Sequence, residues 1–422
     1  MRKALFLCLL LCITVGVPAL SAYVGHRLTY LRMRKKPWQV NSLVAEQVRR
    51  WQCNETLAGA FELAGVPLDG VERCYYEPPD FHRVGWCCRD MPTPFVGYAP
   101  QPGEGVCGRI NGLQFRCDHE LIRPKPPGVC RIFVVGGSTA FGAGASSTQR
   151  TVAGYLQQQL QARKDADRMP GPGSAGNHER RHANTLWLFR EVLRRSQTVE
   201  VITAATSGWT STHERIFIEN RLTELEPDLV ISLSGHNDAF FGSFGKNVLW
   251  SRGFQDDYYF LLANSLLSCN FDAAFPADDP GKESGVDADV MARRLLHNVR
   301  LACAALEPTG AAYVWSLQPI LAASRKPLTP RERKMAERAR QERLLPVYQA
   351  FRQELGRFQR QGFLFLDLTD VFDHLDGQTE VFIDGCHFGD RGNDLIARAL
   401  ADRILAEEPP SRTKASLSGD AP

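Results

Sequence analysis

Hydrophobic positions follow no steady period over the first 128 residues. From residue 129 onward, short apolar runs alternate with amphipathic stretches. The apolar runs, rich in Val, Ile, Leu and Phe, fall at residues 131–135, 199–204, 228–233, 311–317 and 363–368. Runs of that length bounded by polar or glycine-rich segments predict strands covered on both faces. Between them, apolar positions recurring every three to four residues predict helices at 151–163, 212–224, 290–306, 331–360 and 391–407. Parallel strands need crossover connections, which such helices supply. The alternation therefore predicts a three-layer α/β/α sandwich with a mainly parallel five-stranded sheet over residues 129–408.

The amino terminus has a different texture. Residues 4–24 carry no charge and are long enough as a helix to match a bilayer core, and Arg2 and Lys3 precede them. Residues 1–25 thus read as a signal peptide or a single transmembrane anchor, with Ala19-Leu20-Ser21 as a small-residue cleavage site. The basic residues Arg27, Arg32, Arg34, Lys35 and Lys36 that follow argue for a cytoplasmic flank. The cysteines argue the other way. Seven of them (Cys53, Cys74, Cys87, Cys88, Cys107, Cys117 and Cys130) lie in one loop-rich stretch without Cys-x-x-Cys spacing. That pattern disfavours a zinc ribbon and fits disulfides in an oxidising compartment. The expectation is an exported body, periplasmic or extracellular, membrane-linked if the leader stays. Residues 26–128 form a cysteine-rich extension, with extended loops over 75–128, and residues 409–422 a disordered tail.

Composition narrows the function classes. The 50 Lys and Arg nearly cancel 47 Asp and Glu, leaving a formal charge of +3, so no basic field points to nucleic acid. Polar insertions at residues 164–184 and 272–288 read as surface loops.

The chemistry sits where the strands end. The first strand runs into Gly136-Gly137-Ser138-Thr139, then Gly142 and Gly144. A glycine-rich turn there is a ligand-binding place in parallel sheets. A P-loop is excluded because Ala143 and Gly144 stand where Lys and Ser or Thr are needed. The dinucleotide pattern fails at Ser147, and Ala140 breaks the Gly-x-Ser-x-Gly elbow. The second strand ends in Ser207-Gly208-Trp209 and the third in Gly235-His236-Asn237-Asp238. Asp384-Gly385-Cys386-His387 precedes the last helix. All four stretches sit at carboxyl ends of strands or in the closing loop, so all can converge on one edge of the sheet.

These blocks, Gly136-Gly137-Ser138-Thr139, Gly208, Gly235-His236-Asn237-Asp238 and Asp384-x-x-His387, resemble the SGNH (GDSL-like) hydrolase superfamily in identity and order. Gly137 departs from the founding motif, which has Asp there, and the nucleophile is kept. The stretch 111–116 also looks like the lead-in of membrane-linked bacterial relatives. The resemblance implies a flavodoxin-like sandwich and a serine ester hydrolase of esterase, lipase or carbohydrate-deacetylase type. It would work through an acyl-enzyme, with no cofactor and no metal.

Residue types agree with that implication. A serine hydroxyl needs a base, His387 is the candidate, and Asp384 can hold its other nitrogen. The resemblance assigns the oxyanion donors to the backbone N–H groups of Ser138 and Gly208 and to the Asn237 side chain. His236, Cys386 and Cys303 read as structural residues, while Trp209, Phe240 and Phe241 read equally as pocket lining or core. The partner is a small-molecule or carbohydrate ester. Two other readings remain: an O-acyltransferase acting on a polysaccharide with the same triad, and a non-catalytic binding module.

Overall fold

The sheet contains five strands in the order β6-β5-β7-β8-β9, every neighbouring pair parallel. They are β5 (Val129–Gly136), β6 (Thr198–Thr203), β7 (Leu229–Ser234), β8 (Ala312–Leu317) and β9 (Phe363–Asp367). The computed structural model describes residues 90–105, 108–166, 186–243, 287–339, 341–358, 360 and 362–406. These residues all belong to one compact unit. The leader, residues 26–89, nearly all of both polar insertions and the tail lie outside the described residues. Among the described residues, no helix is long and apolar enough to cross a membrane.

The five predicted strands match these elements to within two residues at each end, and the sheet is wholly rather than mainly parallel. β5 pairs with β6 from Val129↔Thr198 to Val134↔Thr203 and with β7 from Ile132↔Leu229 to Gly136↔Leu233. Its Ile132, Phe133, Val134 and Val135 are all fully buried, which explains the unbroken apolar run. Helices α2 (Val152–Asp165) and α9 (Asp390–Leu405) pack together on one face, with α3 (Trp187–Arg195) tied to the end of α9 through Arg190. Helices α4 (Ser211–Asn220), α6 (Ala288–Leu306) and α8 (Leu345–Arg357) cover the other. Leu156, Leu160, Ile396, Leu400 and Ile404 meet Ile132, Val134 and Ile231 in the core of the first face.

Three expectations need correction. The helix expected over 331–360 is broken into α7 (Pro330–Ala339), a 3₁₀ turn (Gln341–Leu344) and α8. Pro346 sits in the first turn of α8, where its missing N–H costs nothing, whereas inside one continuous helix it would leave a carbonyl a turn earlier without its donor. The stretch read as extended loops contains two antiparallel hairpins, β1 (Asp90–Thr93) with β2 (Gly97–Pro100) and β3 (Gly103–Gly105) with β4 (Gly108–Ile110). Strands of three or four residues are too short to leave a periodic signature. Of the seven clustered cysteines, Cys117 and Cys130 are buried free thiols, while the other five lie outside the described residues. The disulfide expectation therefore finds no support at those two.

Strand order positions the site. From β5 the chain moves one way to β6, then crosses back over β5 to β7. The carboxyl ends of β5 and β7 flank this reversal, where the outgoing loops diverge and leave a crevice. The short helices α1 (Ser138–Phe141) and α5 (His236–Ser243) begin there.

Candidate active site

Ser138 is the first residue of α1, with Gly137 in extended conformation before it. Its hydroxyl is 2.6 Å from His387 Nε2, and His387 Nδ1 is 2.6 Å from Asp384 Oδ2. The second carboxylate oxygen of Asp384 accepts the backbone N–H groups of Cys386 and His387, both at 2.8 Å. One aspartate thus folds its own turn and holds the imidazole. A bridge between Phe382 and Phe388 closes the loop below, and their rings pack with Phe372 at centroid distances of 5.3 Å. The polar tip and two of the three rings beneath it come from seven consecutive residues, 382–388.

Burial alone would raise the Asp384 carboxyl, but the charge on His387 and the hydrogen bonds outweigh it and hold the group well below the ordinary carboxylate range. With Asp384 ionised, Nδ1 carries a proton and donates it, which leaves Nε2 to accept from the Ser138 hydroxyl.

The remaining expected residues lie on the two adjacent loops. Gly208 follows β6 with φ +82°, a conformation that favours glycine. Asn237, the second residue of α5, donates from Nδ2 to Trp209 O at 2.7 Å. A Cβ at residue 137 would run into that same Nδ2 and lie 3.2 Å from Trp209 O. The glycine that departs from the founding motif is therefore what gives the Asn237 amide room.

His236 is buried, stacks on Phe240 and contacts Gln341 Nε2 at 3.3 Å. Burial, then the charge on His387, pushes its pKa down to about 4, so it is neutral near pH 7. Trp209 and Phe241 are buried, Trp209 against Phe217 at 4.8 Å, so Trp209 is core rather than pocket lining, while Phe240 is half-buried. Cys303 is buried in α6, its thiol pushed up to about 12 by burial. Cys386 lies beside the imidazole, and burial raises its thiol well above the usual range.

Asp384, Cys386 and His387 place three ligand-type atoms within 4.8 Å of one another. A metal would need the thiolate and a free imidazole nitrogen. The thiol is held protonated, and both ring nitrogens are engaged, so these groups suit a proton relay better than a metal site.

Several supporting residues escaped the sequence reading. The Thr139 hydroxyl donates to Cys386 O (3.2 Å) and accepts from Gln318 Nε2 (3.0 Å). Gln318 directly follows β8, so a polar residue at a strand's carboxyl end was the available signal. Tyr98 and Arg116, ahead of the sheet, also reach the site loops, and only tertiary docking reveals them.

No protein-family model matches the chain, and no curated protein sequence does. Among solved structures, it is similar to an alpha/beta hydrolase from the metagenome of Lake Arreo, Spain. That match has 15% identity and a TM-score of 0.36, covering 66% of this chain and 97% of the other. It is also similar to the acetyl xylan esterase AlAXEase, at 10% identity and TM-score 0.36, covering 65% and 100%. A third is a putative GDSL-like lipase from Parabacteroides merdae, at 14% identity and TM-score 0.37, covering 65% and 95%. The resemblance to the SGNH (GDSL-like) hydrolases is borne out at the level of fold by the five-stranded parallel sheet between helical layers.

Proposed function

We propose that the protein is a serine ester hydrolase of the SGNH type that works through an acyl-enzyme on Ser138. The observation that carries this reading is the unbroken hydrogen-bond chain Ser138–His387–Asp384, with both links at 2.6 Å. As the Ser138 oxygen attacks an ester carbonyl, His387 Nε2 takes the hydroxyl proton and then delivers it to the departing alcohol. Asp384 stays ionised and stabilises the imidazolium. The new oxyanion faces the N–H groups of Ser138 and Gly208 and the Asn237 amide. That amide has two protons and gives one to Trp209, so the second can reach the substrate. Water activated by His387 then releases the acid.

A binding module has no use for a half-exposed serine hydroxyl held against a buried imidazole. Short acyl esters and acetylated sugars are the proposed substrates. An acyltransferase would share the first half-reaction, so the acceptor must be tested directly. A fluorophosphonate should label Ser138, and Ser138→Ala should abolish labelling and ester turnover; labelling elsewhere with Ser138→Ala still active overturns the triad. With an acetyl donor and carbohydrate acceptors present, free acetate should dominate over acetylated sugar in mass spectra. The reverse ratio would make the protein a transferase.

A further inference from the structure

We propose that Tyr98, from the hairpin ahead of the sheet, is a positioning residue that sets the direction of the Gly208 N–H toward the oxyanion. The proposal rests on the oxyanion reading given above. Tyr98 is wholly buried, and its hydroxyl donates to the carbonyl oxygen of Ser207 at 3.2 Å. That carbonyl belongs to the peptide unit whose nitrogen is Gly208 N. A trans peptide is planar, with its C=O and N–H pointing in opposite directions. Fixing the oxygen on one side therefore fixes where the N–H points on the other.

The constraint has a purpose at this position. Gly208 sits at φ +82°, and a glycine turn has alternative conformations that would swing the peptide plane away. Tyr98 also accepts, through its own carbonyl, the indole N–H of Trp209 at 3.0 Å. One residue thus grips the loop on both sides of Gly208. A hydrogen bond to the carbonyl also polarises the unit and makes its N–H a stronger donor.

The same segment holds the neighbouring loop. Arg116, 1% exposed, has its backbone N–H on Thr203 O at the end of β6 (3.1 Å). Its guanidinium donates to Phe141 O (3.1 Å), Gly142 O (2.8 Å) and Ala145 O (3.3 Å). α1 is only four residues long: backbone N–H groups of Ala143 and Gly142 take the carbonyls of Ser138 and Thr139, and the guanidinium takes that of Phe141, at the carboxyl end, with favourable charge. Gln114 Nε2 joins the two anchors by donating to Thr93 Oγ1 (3.1 Å) and Pro100 O (3.3 Å), on either side of Tyr98.

The test uses the full-length chain, with turnover expressed per active site titrated by fluorophosphonate. Substrates are paired aryl acetates and aryl thionoacetates, because sulfur, larger and a weaker acceptor, gains less from donors placed for oxygen. Tyr98→Phe should lower kcat for the oxo-ester about tenfold, the effect of one hydrogen bond, with KM within about twofold. The ratio of oxo- to thiono-ester turnover should fall by a similar factor. Substituting 3-fluorotyrosine at 98, which keeps the hydroxyl as a more acidic and stronger donor, should hold or raise the ratio; if Tyr98→Phe folds poorly, a ratio that falls with 3-fluorotyrosine overturns the proposal. Asn237→Ala is the control for the oxyanion reading. If it lowers the ratio while Tyr98→Phe leaves kcat per site and the ratio unchanged, the Tyr98 proposal alone is overturned. If neither variant moves the ratio, the oxyanion reading and the proposal fall together.

Discussion

The hydroxyl of Thr139 donates to the carbonyl of Cys386, 3.2 Å away, and so ties the residue after Ser138 to the residue before His387. Gln318 holds that hydroxyl from the end of β8. Ser138 and His387 approach within hydrogen-bond distance partly because their immediate neighbours are joined. Thr139→Val keeps the shape and removes the hydroxyl, leaving the Cys386 carbonyl and the Gln318 amide without this partner. The expected cost of about 1–3 kcal/mol corresponds to a loss of roughly 5- to 150-fold in kcat/KM if it falls on the reactive geometry. Thr139→Ser should retain most activity. Steady-state ester hydrolysis by both variants checks this; equal losses would mean the hydroxyl does not matter.

Gly137 and Asn237 form the second testable contact. Restoring the founding-motif aspartate, Gly137→Asp, should push the Asn237 amide off its place and lower kcat about 10²–10³-fold, as removal of an oxyanion donor does elsewhere. Gly137→Ala should follow in the same direction, since its Cβ already meets Nδ2. Measured kcat with thermal melting separates a lost donor from a lost fold.

Two buried groups make opposite contributions to stability across acid pH. Burial lifts the Glu214 carboxyl to about 7, above its ordinary 4.5, against a hydrogen bond from Ser234 and with help from the charge on Asp238. The folded protein then holds a proton that the unfolded chain loses, so this contribution is full below about 4.5 and is lost as pH rises to about 7. His236 moves from 6.5 down to about 4, so its contribution is full above 6.5 and is lost as pH falls toward 4. Each slope approaches 1.4 kcal/mol per pH unit at most, and they oppose each other where the windows overlap. Relative to wild type, Glu214→Gln should therefore make stability climb more steeply with pH over the overlap. His236→Gln should make it fall. Urea midpoints at half-unit steps from pH 4.5 to 7 measure both, and identical profiles for all three proteins would contradict the assignment.

Lys326 and Glu332 form a fully buried ion pair at 2.5 Å. Glu332 also accepts the N–H groups of Val381 and Phe382, just before the turn that carries Asp384. Removing one partner leaves a buried charge uncompensated, so Lys326→Met should destabilise the fold by about 3–5 kcal/mol. Equilibrium urea denaturation gives the value. A change under about 1 kcal/mol would show that the carboxylate is neutralised or solvated instead.

The sequence showed most clearly those features whose cause is local. Five strands were legible because a strand buried on both faces must be apolar throughout. Asp384 and His387 were legible together because they fold their own turn within four positions. The glycine departure at 137 was visible, but its reason required the Asn237 amide in space. Tyr98 was silent for a different reason, and the stretch 111–116 drew notice without showing what Arg116 does: an aromatic and a charged residue in a non-periodic segment reveal their contacts only when they dock. The break between α7 and α8 was signalled by Pro346, yet the amphipathic period on both sides masked it. That break brings Gln341 to His236.

Ser138 and His387 stand 249 positions apart along the chain. Ser138 leaves the ribosome well before His387, and between them the sheet must acquire β6, β7, β8 and β9. Parallel pairings at long range form slowly, since loop closure precedes any contact that rewards it. On the proposed mechanism, reactivity therefore arrives only with the assembled sheet. A nascent or unfolded polypeptide carries the serine as an ordinary alcohol, inert toward the esters around it. During refolding, phosphonate-reactive sites should appear only after helical circular dichroism has recovered.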